Sequence, residues 1–225
     1  MRPEPKVIFH VGGPASHPVA DQARLIAGWI GDGYKCELHD GLGAFEQLDR
    51  ADLLVLMGLH WSGMEKEKLA YRPLQQKHKE AFEQYISSGK PLLAHHAAVG
   101  SYDDWQRFGE LVGVQWIWGK SNHSPLGEHH VHVKETAHPV IAGVDDYTIY
   151  DELYYDLKID EAMQPEIEAE ATWEGKKHPM VITGHGGRVD GAGKMVYLAN
   201  GHDMRSFECE AMHTLWSNAV AWLAG

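Results

Sequence analysis

Sixteen histidines occur in 225 residues. Several fall where apolar runs end: His10, His60, His95, His96, His185 and His202. Imidazole titrates near neutrality, so it serves as acid, base or metal ligand. The pair His95-His96 closes the run Pro91-Leu92-Leu93-Ala94 and leads into Ala97-Ala98-Val99-Gly100-Ser101. Neighbouring side chains on a strand point to opposite faces. At most one of the pair therefore serves a site directly while the backbone stays extended. His96, nearer the loop, is the candidate, and His95 is left to packing or support.

Two other stretches offer related chemistry. Tyr150-Asp151-Glu152 sets an acidic pair among aromatics. Such a pair orients a histidine or acts as general acid and base, although Asp is also common at turns and caps. Gly201-His202-Asp203 follows another apolar run. It offers an acid, a base or a metal ligand, while Asp203 fits a helical N-cap equally well. His130-x-His132 places two imidazoles on one strand face, but no third ligand is near in sequence, so a solvated edge is the better reading. Gly12-Gly13 lacks the G-x-G-x-x-G spacing, and no phosphate loop or G-x-S-x-G occurs. A dinucleotide-binding oxidoreductase is therefore disfavoured.

The elements that must position these residues follow from periodicity. Residues 6–11, 34–39 and 51–57 read as strands, and the stretch ending in His95-His96 as a fourth. Helical spacing appears over 19–30, stopped by Gly31-Asp32-Gly33, and over 75–86. Nearly continuous apolar strands alternating with helices predict a parallel sheet covered on both faces. Beyond it, 105–112 reads as a short helix, and 116–119, 128–134, 166–173, 179–183 and 194–198 as strands. Residues 208–223 form a final helix, with Met212, Leu215, Trp216, Ala219, Val220 and Leu223 on one side. The expected class is α/β: a doubly wound, mostly parallel sheet flanked by helices, with antiparallel additions in the second half. No repeat or linker divides it, so one domain over 1–225 is expected.

Composition narrows the partners. A net charge of −12 argues against a nucleic-acid surface. The chain shows no signal-peptide core and no apolar run long enough to span a bilayer, which points to a cytoplasmic protein that does not bind membranes. Cys36 and Cys209 form no CxxC pattern and read as reduced thiols.

Taken in order, the segments resemble the trehalose-utilisation (ThuA-like) family. The resemblance rests on Leu53-Leu54-Val55-Leu56, on Gly89 through Ala98, on Trp105, on Leu111-Val112-Gly113 and on His123. It continues through His138-Pro139-Val140-Ile141-Ala142-Gly143, Tyr150-Asp151-Glu152-Leu153-Tyr154, Gly201-His202-Asp203 and the ending Ala221-Trp222. It implies a fold like that of class I glutamine amidotransferases. Those enzymes need a cysteine nucleophile after the corresponding strand, where this chain has His96. Cys36 lies in an earlier strand and Cys209 opens the last helix.

The resemblance also implies a site and a substrate. His96, Glu152 and His202 become the joint catalytic candidates. The substrate would be a small-molecule sugar or keto-sugar such as a trehalose-like disaccharide, handled beside a sugar oxidoreductase. A keto group acidifies the neighbouring C–H, so acid-base chemistry by an isomerase, lyase or hydrolase is implied. Trp61 and Trp105 are candidate surfaces for a sugar ring. His17, His60, Ser101 and His123 complete the expected substrate contacts, together with Asp151 and Asp203. A second version adds a divalent metal such as zinc, held by His96, Glu152 and His202. A third is a non-catalytic sugar-binding or regulatory module.

Overall fold

The computed structural model describes residues 3–225, apart from the side chain of Glu67. Its first half alternates strands and helices: β1 (Lys6–Val11), α1 (Val19–Ile30), β2 (Lys35–Asp40), α2 (Leu42–Phe45), β3 (Leu53–Leu56), α3 (Gln76–Ser87), β4 (Leu92–His95) and α4 (Gln106–Val112). Short strands follow: β5 (Val114–Gln115), β6 (Asn122–His123), β7 (Gly127–Val133), β8 (Tyr147–Asp151), β9 (Tyr154–Tyr155) and β10 (Lys158–Ile159). The chain closes with β11 (Glu166–Trp173), β12 (Lys176–His185), β13 (Lys194–Leu198) and α5 (Glu210–Ala224).

A nine-stranded sheet in the order β2-β1-β3-β4-β13-β12-β11-β7-β8 organises the fold. Strands β2 through β13 in that order pair in parallel. Every residue of β3 is buried, as a strand covered on both faces requires. One face of α1 packs on β1, β2 and α5. Val19, Gln22, Ala23 and Ile26 are buried at helical spacing, and Gly31 at φ 70° ends the run. In α5, the six apolar residues expected on one side are the six that are buried. Helices α1 and α5 pack together, whereas α2, α3 and α4 meet through the rings of Phe45, Phe82 and Phe108.

Strand direction decides what the sheet can assemble. From β13 outward, each step to β12, β11, β7 and β8 is antiparallel. Four reversals return β8 to the direction of β13. The carboxyl ends of β1, β3, β4, β13 and β8 therefore emerge at the same edge of the sheet. Ligands of open α/β sheets bind at such an edge.

One expected strand is not formed. Residues 116–119 make a turn instead, with the Trp116 amide donating to Val99 O at 3.0 Å. The Trp118 indole donates to Gly100 O at 3.1 Å. The alternating Trp pattern comes from two indoles facing one cavity rather than from sheet pairing.

Candidate functional site

The strand ends deliver the site one residue at a time. After β1 the chain turns through Gly12-Gly13 toward His17. Gly13 has φ 113°, and a Cβ there would lie 2.5 Å from Leu59 O, so only glycine allows this approach. After β3 come Leu59 and Trp61. After β4, His96 has φ 42°, a conformation that costs a branched or bulky residue strain. It opens a 3-10 turn over His96–Gly100 that redirects the chain. Glu152 follows β8, and His202 follows β13.

Residues 199–202 are clamped from both sides. The carbonyls of Ala199, Asn200 and Gly201 accept from His96 Nδ1 at 2.7 Å, His95 Nε2 at 2.8 Å and Gln22 Nε2 at 2.9 Å. A carbonyl only accepts, so each histidine carries its proton on the named nitrogen. The amides of Gly201 and His202 donate to Asp151 Oδ2 at 2.6 Å and Oδ1 at 2.9 Å. Glu152 N and Asn200 Nδ2 donate to the same carboxylate at 2.9 and 3.1 Å. Burial pushes Asp151 up to about 6, against the pull of these donors.

Inside the clamp, one atom each from His17, His96, Glu152 and His202 lies within 4.8 Å of all the others. Glu152 Oε2 is 3.0 Å from His202 Nδ1 and 3.9 Å from His96 Nε2. Glu152 Oε1 is 3.3 Å from His123 Nδ1. The His202 approach is short but misaligned for a hydrogen bond, so Nδ1 is left without a partner. His17 Nε2 and His96 Nε2 are buried without partners as well. Burial lowers His17 to about 4, helped by the neighbouring His202. Burial, then His17 and His95, hold His96 well below its ordinary value. For His202, burial pulls down but the Glu152 carboxylate outweighs it, and the pKa rises.

His17, Glu152 and His202 line the floor of a cavity of about 280 Å³, with His96 buried behind them against His17 and His202. Trp61 and Trp118 stack on one wall with centroids 5.2 Å apart and planes 10° from parallel. Trp116 and Tyr154 continue the wall, their centroids 4.8 Å apart. Tyr154 also covers His96, 4.2 Å between centroids. A second cavity of about 320 Å³, across residues 59–64, is lined by Asp40, His60 and Arg72. It is larger, but no orphaned buried groups converge on it, so the histidine cavity is the candidate site.

Of the residues expected from sequence, His17, Trp61, His123, Glu152 and His202 line this cavity, and His96 lies buried behind its floor. The others lie elsewhere. His60 faces the second cavity and bonds Val11 O at 3.1 Å. Ser101 is buried, bridging Gly58 O and His60 N. Trp105 packs on the main core beneath Lys79. Asp151 points its oxygens at backbone amides, away from any ligand. Asp203 caps the 3-10 turn Met204–Glu208 and pairs with Arg205. His130 and His132 stand on an exposed face sharing Asp146, which fits the solvated-edge reading. Trp116, Trp118 and Tyr154 were not singled out as contacts by sequence. The Trp116-Ile117-Trp118 pattern was the signal, read as a strand.

Solved structures show the same fold. A ThuA-like protein of Parabacteroides merdae aligns at TM-score 0.75 with 16% identity, covering 97% of this chain and 89% of its own. A ThuA-like protein of Bacteroides uniformis gives 0.74 and 18%, over 99% and 93%. A cytoplasmic protein of Salmonella typhimurium gives 0.62 and 12%, over 97% and 98%. No curated protein is significantly similar in sequence. Among the described residues, no helix is long and apolar enough to cross a membrane. The family model described as trehalose utilisation matches residues 31–223, and the chain belongs to this ThuA family.

Proposed function

We propose that the cavity binds a sugar or keto-sugar, such as an oxidised trehalose-like disaccharide, and that His96, Glu152 and His202 carry proton transfer on it. The observation that carries this reading is the pairing of surfaces in one cavity. A stacked indole wall suits the apolar face of a sugar ring. Opposite it lies a carboxylate among imidazoles whose inward nitrogens have no other partner. A volume of about 280 Å³ sits at the lower end of ligand pockets. It suits one ring inside, with a second ring over the exposed Trp118.

The chemistry follows from the substrate. A ketone makes its neighbouring C–H acidic, and removal of that proton needs a base beside it and an acid at the oxygen. His96 presents the Nε2 lone pair, because Nδ1 is committed to Ala199 O. Glu152 bridges toward His202 and His123. Isomerisation or elimination follows according to which bond reforms. Such a substrate implies a sugar oxidoreductase that supplies the keto form. The family's description as trehalose utilisation supports the sugar class. The Salmonella relative, described as cytoplasmic, supports a cytoplasmic location.

The test is incubation with keto-disaccharides in deuterated water, followed by NMR. Deuterium at the carbon beside the ketone, or a new product, is expected, and Glu152→Gln should suppress it. Saturable binding without exchange or product would make the chain a sugar-binding module and refute the catalytic reading. No binding of any keto-sugar would refute both.

A further inference from the structure

We infer that His17, His96, Glu152 and His202 form the ligand set of a divalent transition-metal ion. Buried polar atoms in folded proteins nearly always have partners. Here three buried imidazole nitrogens, His17 Nε2, His96 Nε2 and His202 Nδ1, have none. All three surround the same carboxylate, within 4.8 Å of it and of one another. Nitrogen and oxygen ligands stand about 2.0–2.2 Å from such an ion, so tetrahedral ligands of one ion lie about 3.3–3.6 Å apart. Glu152 Oε2 is already 3.0 Å from His202 Nδ1 and 3.9 Å from His96 Nε2, and the widest spread of 4.8 Å closes by side-chain movements of about 1 Å.

The outer contacts fit the same assignment. A ligating histidine commonly donates its other ring N–H to a carbonyl or hydroxyl, which turns the free lone pair to the ion. His96 does so through Nδ1 to Ala199 O at 2.7 Å. His17 Nδ1 meets Ser16 Oγ at 3.2 Å. The backbone of His202 is fixed by Asp151. An alternative, an imidazolium–carboxylate cluster, would need N–H groups aimed at Glu152. The shortest approach, from His202, is not so aligned. Three imidazoles and one carboxylate favour zinc or iron(II) over calcium or magnesium, which take oxygen ligands.

The ion deepens the sugar reading and rests on it only for what the ion would act on. With an ion bound, the lone pairs of His96 Nε2 and His202 Nδ1 would be taken up as ligands and would no longer act as bases; the ion would supply polarisation of the sugar carbonyl in their place. Glu152 would hold the ion through Oε2, while Oε1 remains beside His123 for the proton.

The test uses protein purified without an affinity tag. Metal content is measured by mass spectrometry, and Zn²⁺ and Co²⁺ are titrated into chelator-stripped protein by calorimetry and visible absorption. One ion per chain is expected, with affinity lowered at least about tenfold in His17→Gln and in Glu152→Gln. Circular dichroism checks that each variant folds. Trace metal with no saturable binding, or unchanged affinity in His17→Gln, would overturn the assignment. Deuterium exchange by a protein that shows no saturable binding of Zn²⁺ or Co²⁺ would refute the metal and leave the sugar reading standing. A stoichiometric ion in a protein inert to every keto-sugar would do the reverse.

Discussion

Gly201 offers a sharp test of the clamp beneath the site. Its φ is 136°, and a Cβ built there would overlap the His95 ring. Gly201→Ala therefore incurs two separate costs. Backbone strain in a region nearly closed to other residues costs about 1–3 kcal/mol. Displacing His95 adds about 1–3 kcal/mol of overpacking, plus about 1 kcal/mol for its bond to Asn200 O. A loss of about 3–7 kcal/mol is expected from these terms together, read as a lower urea midpoint at unchanged slope. The steric part depends on the His95 ring, whereas the strain does not. His95→Ala is costly alone, yet in its presence Gly201→Ala should lose only the strain. The double-mutant cycle should show a favourable coupling of about 2–4 kcal/mol, the overpacking and the His95 bond together. Gly201→Ala within about 0.5 kcal/mol of wild type, or an additive cycle, would refute the close packing of His95 under the 199–202 segment.

Two more outcomes follow from the core and the rim. His10 is fully buried against His60 and Tyr102, and burial, then His60, hold its pKa well below 6.5. The unfolded chain takes up this proton below pH 6.5 and the folded chain does not, so stability falls as pH drops through that value. His10→Phe should leave the slope unchanged above pH 7 and flatten it below pH 6.5 by up to about 1.4 kcal/mol per pH unit, read by denaturation between pH 7.5 and 5. An unchanged slope would show that His10 does not titrate between the states. Trp118 is 42% exposed and stacks on Trp61. Trp118→Ala should weaken sugar binding about 2- to 12-fold, from about 0.5–1.5 kcal/mol of stacking. Trp105→Ala, outside the cavity, should leave sugar affinity unchanged, and equal effects of the two would sink the stacking wall.

The sequence carried the parts of this fold that periodicity encodes. Three nearly continuous apolar strands, β1, β3 and β4, and the stripe of α5 are local patterns. Alternation along β4 gave a reason to part His96 from His95, but the structure parts them otherwise: the strand ends at His95, and His96 leaves it at φ 42° to open the turn. Three things had no local signal. His17 sits in a loop with no period, so its place beside His96 depends on the turn at Gly12-Gly13. Asp151 and Glu152 are adjacent acids, and only the fold shows that one binds backbone amides while the other faces the cavity. The two indoles at 116 and 118 mimic strand alternation, and nothing local distinguishes facing a sheet from facing a pocket.

The least legible fact is also the one on which the site depends. Glu152 reaches His202 because β8 runs in the direction of β13, four places away in the sheet. That direction follows from counting antiparallel steps, and no residue near Glu152 reports it. An odd number of steps would have delivered the carboxylate to the opposite edge and left the histidines without it. The antiparallel extension is therefore more than added sheet: its even count brings the acid to the imidazoles. The floor so made is held by strand ends and by bonds to 199–202, whereas Trp118 and His123 lie on the exposed rim. Rigid elements fix reacting groups more closely than loops do, and loops tolerate change more readily. Sugar preference can then shift through the rim residues while the His/Glu floor keeps its geometry.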